Sequence, residues 1–258
     1  MKTDKRSGRP LFRVISDLPR RLFAVGDIHG NINEIRVLID FLKKEKGLDE
    51  RDSLVFIGDY IDRGPASRQV IDLMLSLKAA LPRTVFLKGN HEDMLLAFLG
   101  QGGNGGDVYL SNGGAAFFES YGIAPFGPIS QILLEFPPSH LDFIKGLELG
   151  VVLHNFVFVH AGIDPERGLD DQNPEDLLWI RKAFINSGHA LGKTVVFGHT
   201  AFDQVLLDLP FKIGIDTGIA YGNRLSAVEL IEGELYQVEM GETTVKARYL
   251  NDLLDRPT

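Results

Sequence analysis

Six short apolar runs, each ending abruptly in a cluster of glycine and polar residues, constrain this chain more than any other feature. Leu22–Val25 leads into Gly26-Asp27-Ile28-His29-Gly30, and Leu54–Ile57 into Gly58-Asp59-Tyr60-Ile61-Asp62-Arg63-Gly64. Val85–Leu87 precedes, across Lys88, the cluster Gly89-Asn90-His91-Glu92. Phe156–Val159 runs into His160-Ala161-Gly162, Val195–Phe197 into Gly198-His199-Thr200, and Ile213–Ile215 into Asp216-Thr217-Gly218. Such runs, rich in β-branched and aromatic residues and lacking polar alternation, predict strands buried on both faces.

Helical periodicity fills the gaps between the first three strands. Asn31 is placed to cap a helix whose Ile32, Ile35, Leu38, Ile39 and Leu42 share one face. A second helix follows Pro65 with Val70, Leu73, Met74 and Leu77 on its buried stripe, and a third starts near Glu92 with Met94, Leu95 and Phe98. Strands alternating with helices give an α/β class, in which functional groups collect where strands end. The stretch from about 93 to 150 breaks this pattern with the glycine run 100–106, the turn Asn112-Gly113-Gly114 and four prolines, and predicts a small helical cap over the site. Leu225–Ile231 and Leu235–Met240 around Gly233 predict a closing β-hairpin.

Composition narrows the chemistry. With 44% hydrophobic residues, the 258-residue chain can bury a proper core. It has no cysteine, so thiolate nucleophiles, zinc-thiolate sites and disulfides are all excluded, and a cytoplasmic setting is expected. Residues 1–21 hold seven Lys/Arg against two Asp, within a chain of net charge −8. They read as a basic, poorly ordered arm ahead of a single catalytic domain over 22–258. The acidic remainder speaks against nucleic acid as a partner, and no stretch is apolar enough to span a membrane.

A lone Asp beside a glycine is usually a turn residue, and a lone His near a strand end is usually half-buried and hydrogen-bonded. Recurrence changes that reading. Asp27, His29, Asp59, Asn90, His160 and His199 each lie just past a predicted buried strand, and all are ligands suited to a divalent metal. With His91, four of the seven histidines fall in such positions, whereas His140, His154 and His189 do not.

Gly-Asp-Ile-His-Gly, Gly-Asp-Tyr-Ile-Asp-Arg-Gly and Gly-Asn-His-Glu, in this order, resemble the signature of the phosphoprotein phosphatase family of metallophosphoesterases. The likeness continues through His160-Ala161-Gly162, Gly198-His199-Thr200 and Asp216-Thr217-Gly218. These last features, with Asn112-Gly113-Gly114, are similar to the bacterial and phage branch of serine/threonine phosphatases. The resemblance implies a β-sandwich flanked by helices, in four layers α-β-β-α. It also implies two divalent metal ions, with manganese expected and iron or zinc compatible. Asp27 and His29 would bind the first ion, Asn90, His160 and His199 the second, and Asp59 both. A hydroxide bridging the metals would then attack phosphorus directly, which needs no protein nucleophile.

The same resemblance makes His91 the acid for the leaving group, oriented by Asp62. It assigns Arg63 and Arg181 to the phosphate; Asn90 and, by its position alone, Tyr221 complete the substrate-binding set. Arg181 also fits a solvent-facing helix residue, and Asp216 fits support of His199 or of a turn better than a metal ligand. A phosphorylated protein is the expected substrate. The alternative is a small phosphoester, as in the symmetrical dinucleoside tetraphosphatases. Those enzymes depart from the Asp-Arg-Gly pattern and carry Asp after Asn-His, whereas this chain keeps Asp62-Arg63-Gly64 and Glu92. An inactive phosphate-binding protein is disfavoured because every ligand and the acid are present.

Overall fold

The computed structural model describes Thr3 and residues 10–253. In chain order its elements begin with β1 (Arg13–Ile15), β2 (Leu22–Val25), α1 (Ile32–Lys44), β3 (Ser53–Phe56), α2 (Ser67–Ala80) and β4 (Thr84–Phe86). Four helices follow: α3 (Asn90–Phe98), α4 (Ala115–Tyr121), α5 (Ile129–Glu135) and α6 (Pro138–Lys145). Next come β5 (Gly150–Leu153), β6 (Phe156–Val159), α7 (Pro174–Trp179), α8 (Lys182–Ile185) and β7 (Thr194–Phe197). The chain closes with β8 (Leu206–Asp208), β9 (Lys212–Gly214), β10 (Arg224–Glu229), β11 (Glu234–Glu239) and β12 (Lys246–Tyr249).

The strands form two six-stranded sheets, in the orders β12-β11-β10-β2-β3-β4 and β1-β5-β6-β7-β9-β8. Because side chains alternate along a strand, each buried strand feeds two cores. Leu22, Ala24, Val55 and Ile57 face Val151, Phe158, Val196 and Ile213 of the other sheet. Phe23, Val25, Leu54 and Phe56 instead meet Ile35, Leu38, Val70 and Met74 of α1 and α2. Val157, Val195 and Phe197 pack outward on Leu177, Leu178 and Phe184 of α7 and α8. These three apolar layers make the four-layer α-β-β-α arrangement. β2, β3 and β4 run parallel, as do β6, β7 and β9, so the loops leaving their C-terminal ends gather together.

Several local expectations are corrected. The arm is not poorly ordered up to residue 21: β1 pairs parallel with β5, and Leu11 and Phe12 are buried against the outer face of the second sheet. The apolar Leu-Phe pair and the β-branched Val14-Ile15 outweigh the surrounding basic charge. The remaining positions of the expected arm, 1, 2 and 4–9, lie outside the described residues. β5, β8 and β12 were not foreseen either. Asn31 does occupy the cap position of α1 but makes no capping bond to the helix. Its amide donates instead to the Ile28 and His29 carbonyls at 2.8 and 2.9 Å, bracing the first polar loop.

The segment expected as a cap is fused to the helical layer. Phe117, Phe118, Ile132, Phe136, Phe143 and Ile144 belong to the same apolar cluster as α1 and α2. Within it, the turn 109–114 reaches the strand-end loops, through Tyr109 and Gly113.

Candidate metal centre

The six polar clusters converge at one end of the sandwich, and the backbone there is bent to make them do so. Six non-glycine residues have left-handed backbone among those described: His29, Asp59, Asp62, Arg63, His154 and His199. All but His154 are candidate site residues. Each such conformation costs of order 1–3 kcal/mol and persists only where surrounding structure enforces it. Enforcement comes from Glu92, whose fully buried carboxylate accepts the amide hydrogens of Asp59, Tyr60 and Gly89 at 2.8–3.0 Å. Ile28 and His29 in turn donate their amides to the Asp59 carbonyl at 3.0 and 2.8 Å.

Asp59 is the centre of the arrangement. Its Oδ2 lies 3.4 Å from His29 Nε2, and its Oδ1 lies 3.5 Å from His160 Nε2. Oδ1 also accepts the His91 amide hydrogen at the start of α3, 3.1 Å away. Two glycines make room for the carboxylates. A Cβ on Gly89 would stand 2.0 Å from Asp59 Oδ1, and one on Gly198 would stand 2.1 Å from Asp27 Oδ1. No side chain fits at either position.

On one side, Asn90 Oδ1 lies 2.9 Å from His160 Nε2 and 2.8 Å from His199 Nδ1. His160 Nδ1 faces the Ile57 carbonyl at 2.9 Å, so both ring nitrogens face oxygen. Burial lowers the His160 pKa, and burial together with His160 holds His199 down to about 2. A neutral imidazole has one N–H, so at least one His160 nitrogen presents a lone pair to an oxygen lone pair. A cation between them resolves that conflict. On the other side, His29 Nδ1 is fixed on the Ile61 carbonyl at 2.9 Å, and burial holds this ring down to about 3. Its Nε2 is met by a cationic group, the Arg63 guanidinium, at 3.0 Å.

Two further atoms point the same way. Asp27 Oδ1 and His199 Nε2 are buried without a hydrogen-bond partner among the described residues. Asp27 Oδ2, by contrast, accepts the His199 amide at 3.1 Å. Burial, reinforced by the Asp216 and Asp59 carboxylates, pushes the Asp27 pKa well up. Crowded buried carboxylates, neutral imidazoles and an amide oxygen form a donor set that fits divalent cations. Among the described residues, two groups of close candidate ligand atoms stand out, His29–Asp59–His91 and Asp59–His160–His199, with Asp59 common to both. His91 appears where the sequence pointed to Asp27 because its ring meets the His29 ring edge-on, with centroids 4.7 Å apart.

His91 Nδ1, however, is held by Asp62 Oδ2 at 2.7 Å. Burial would lower its pKa, but Asp59 and Asp62 outweigh burial and raise it. Arg63 is half-buried, and its guanidinium lies 5.2 Å from the centroid of the exposed Tyr221 ring. Arg181 is exposed, yet Nη1 donates to the His199 carbonyl at 3.1 Å and to Thr200 Oγ1 at 3.2 Å. Asp216 Oδ1 accepts the Gly218 amide at 2.9 Å, which is the turn role. All eleven sequence-selected residues therefore gather at this end.

The three unselected histidines lie elsewhere. His140 bridges Tyr121 and Asp72, His189 faces the Phe211 carbonyl, and His154 sits in the β5–β6 turn. Sequence reasoning missed three contributors. Glu92 had a local signal, since it is the third residue of α3 and bonds the Gly89 amide. Tyr109, whose hydroxyl donates to Asp62 Oδ1 at 2.7 Å, had none. Trp179 meets the His199 ring edge-on at 5.9 Å between centroids, a contact without a local sequence signal.

Comparison with known proteins follows the same lines. The family model described as calcineurin-like phosphoesterase matches residues 20–219. Serine/threonine-protein phosphatase 2 of Escherichia coli is 30% identical, over 80% of this chain and 91% of its own length. The asymmetrical bis(5'-nucleosyl)-tetraphosphatase of Anoxybacillus flavithermus is 28% identical, over 83% of this chain and 92% of its own. A protein serine/threonine phosphatase structure from Saccharomyces cerevisiae superposes with a TM-score of 0.61 at 16% identity, covering 94% of this chain and 84% of that one. That last likeness concerns the fold alone.

Proposed function

The chain belongs to the calcineurin-like phosphoesterase family, and within it we propose that this protein is a two-metal serine/threonine phosphoprotein phosphatase. The observation that carries the reading is the Asp59 carboxylate, with one oxygen toward His29 and the other toward His160. Two cations held close together need such a shared anionic ligand. Asp27, through its unpartnered Oδ1, and His29 would complete one ion's shell, and Asn90, His160 and His199 the other's. When bound, the pair supplies acidified water at neutral pH and stabilises charge on the phosphoryl group. Manganese suits this nitrogen and oxygen set, and iron or zinc fit it as well. A cytoplasmic setting belongs to the same proposal; among the described residues no helix is long and apolar enough to cross a membrane.

The chain's own residues would do the rest. Arg63 and Arg181 grip phosphoryl oxygens, since a guanidinium can pair with them in bidentate fashion. Asn90 and Tyr221 line the same space. His91, fixed by Asp62, gives a proton to the departing oxygen. This pair supports a phosphoserine or phosphothreonine substrate, because an alkoxide leaves poorly without a proton. A nucleotide leaving group depends on it less. The tetraphosphatase likeness nevertheless supports a second reading, a dinucleoside polyphosphate hydrolase. Side-by-side assay of phosphoserine peptides, dinucleoside polyphosphates and an aryl phosphate with manganese tests both. The proposal expects the peptide to have the higher kcat/KM; a clear preference for the dinucleotide would replace it with the second reading.

A further inference from the structure

The turn 109–114 lies outside every role assigned so far, yet it grips two consecutive site residues. Tyr109, buried completely, donates its hydroxyl to Asp62 Oδ1 at 2.7 Å, while Gly113 accepts the Arg63 amide at 3.2 Å. Asp62 is itself fully buried, and its other oxygen, Oδ2, holds His91 Nδ1 at 2.7 Å. Both carboxylate oxygens are thus engaged in short bonds, and the plane of the carboxylate cannot turn without breaking one. The Asp62 amide is tied as well, to Ser67 Oγ at 3.0 Å.

The Tyr109 ring is held as firmly as its hydroxyl. Phe98 and Phe118 flank it at centroid distances of 5.6 and 6.2 Å. Gly114 lies directly against it: a Cβ there would be 2.6 Å from the ring. Burial, with Asp62 beside it, pushes the phenol pKa well up, so the hydroxyl keeps its proton and donates it. A buried tyrosine needs some acceptor, and any backbone carbonyl would serve. Here the acceptor is the carboxylate that orients the imidazole.

We propose that Tyr109 is a positioning residue for the proton-donating pair, forming a Tyr109–Asp62–His91 chain in which the 109–114 turn fixes the direction of the His91 ring. This rests on the reading of His91 as the leaving-group acid. Without the hydroxyl, Asp62 Oδ1 is left buried and unpaired, a costly state that the carboxylate escapes by rotating and releasing His91. The consequence falls on leaving groups that need a proton.

The test compares Tyr109→Phe, His91→Asn and the double variant on a phosphoserine peptide and on a nitrophenyl phosphate, with manganese content checked. The proposal expects Tyr109→Phe to lower peptide kcat about ten-fold, the scale of one hydrogen bond to a charged group. Nitrophenyl phosphate kcat should fall by less than about two-fold, since that leaving group needs little protonation. In the His91→Asn background, removing the hydroxyl should cost nothing further on the peptide. Gly114→Ala keeps the hydroxyl but displaces the ring, and should reproduce the split if Tyr109→Phe does not fold. A split in His91→Asn but none in Tyr109→Phe or Gly114→Ala would overturn the proposal while leaving the acid in place. Equal slowing of both substrates by His91→Asn would remove the acid itself, and this inference with it.

Discussion

The chain's seven histidines divide into two sets that differ in what their nitrogens meet. In the strand-end set, His29 and His160 each spend Nδ1 on a backbone carbonyl and turn Nε2 toward Asp59, and His199 keeps a buried Nε2 without a partner among the described residues. In the other set, the ring nitrogens of His140 and His189 are satisfied within the fold, and His154 is exposed in the β5–β6 turn. His140 lies between the Tyr121 hydroxyl and Asp72, and His189 lies between the Phe211 carbonyl and the Leu191 amide. His140 is as buried as the strand-end histidines, so burial alone does not separate the sets. The difference is that one set is complete without a ligand and the other is organised around something with positive charge.

Substitutions probe the two sets of histidines and their neighbours. The largest expected effect is at the shared ligand: Asp59→Asn should abolish phosphoesterase activity, because a neutral amide cannot serve two cations as a carboxylate does. Retention of more than about a tenth of the activity, itself only about 1.4 kcal/mol of barrier, would show that Asp59 is not shared. Next comes His91→Asn. A phosphoserine peptide should lose about 10²–10⁴-fold in kcat, as expected for a lost general acid, and an aryl phosphate much less.

Arg63→Ala should slow both substrates to a similar degree, since its contact is to phosphoryl oxygens common to the two. A leaving-group dependence like that of His91→Asn would place Arg63 with the acid instead. The smallest effect belongs to the satisfied set. His140→Ala should lower thermal stability by about 1 kcal/mol, through the lost Tyr121 contact, and leave kcat within about three-fold. A His140 variant that stays folded but loses activity as Asp59→Asn does would collapse the division.

The strand-end set was legible because each candidate ligand is local to an apolar run that announces its strand. Asp27, Asp59, His160 and His199 follow their strands within a few residues, whereas the four-layer order came from the family resemblance. What escaped the sequence depends on partners far away along the chain. β1 is three residues in a basic stretch and becomes a strand only beside β5, its neighbour from Gly150–Leu153. Tyr109 looks like one aromatic in a glycine-rich segment until the fold carries it to Asp62, 47 positions earlier. The segment from about 93 to 150 reads as a cap over the site because its prolines and glycines hide its apolar faces. In the structure those faces join the α1–α2 core.

If Asp59 serves two cations at once, its loss must weaken both, and bound manganese can be counted. Equilibrium dialysis followed by elemental analysis of the wild-type chain and of Asp59→Asn gives the number per chain and the affinity. Two ions are expected in the wild-type chain, with binding of both weakened in Asp59→Asn. One ion per wild-type chain under metal-replete conditions, or an Asp59→Asn chain that keeps one ion at unchanged affinity, would contradict it.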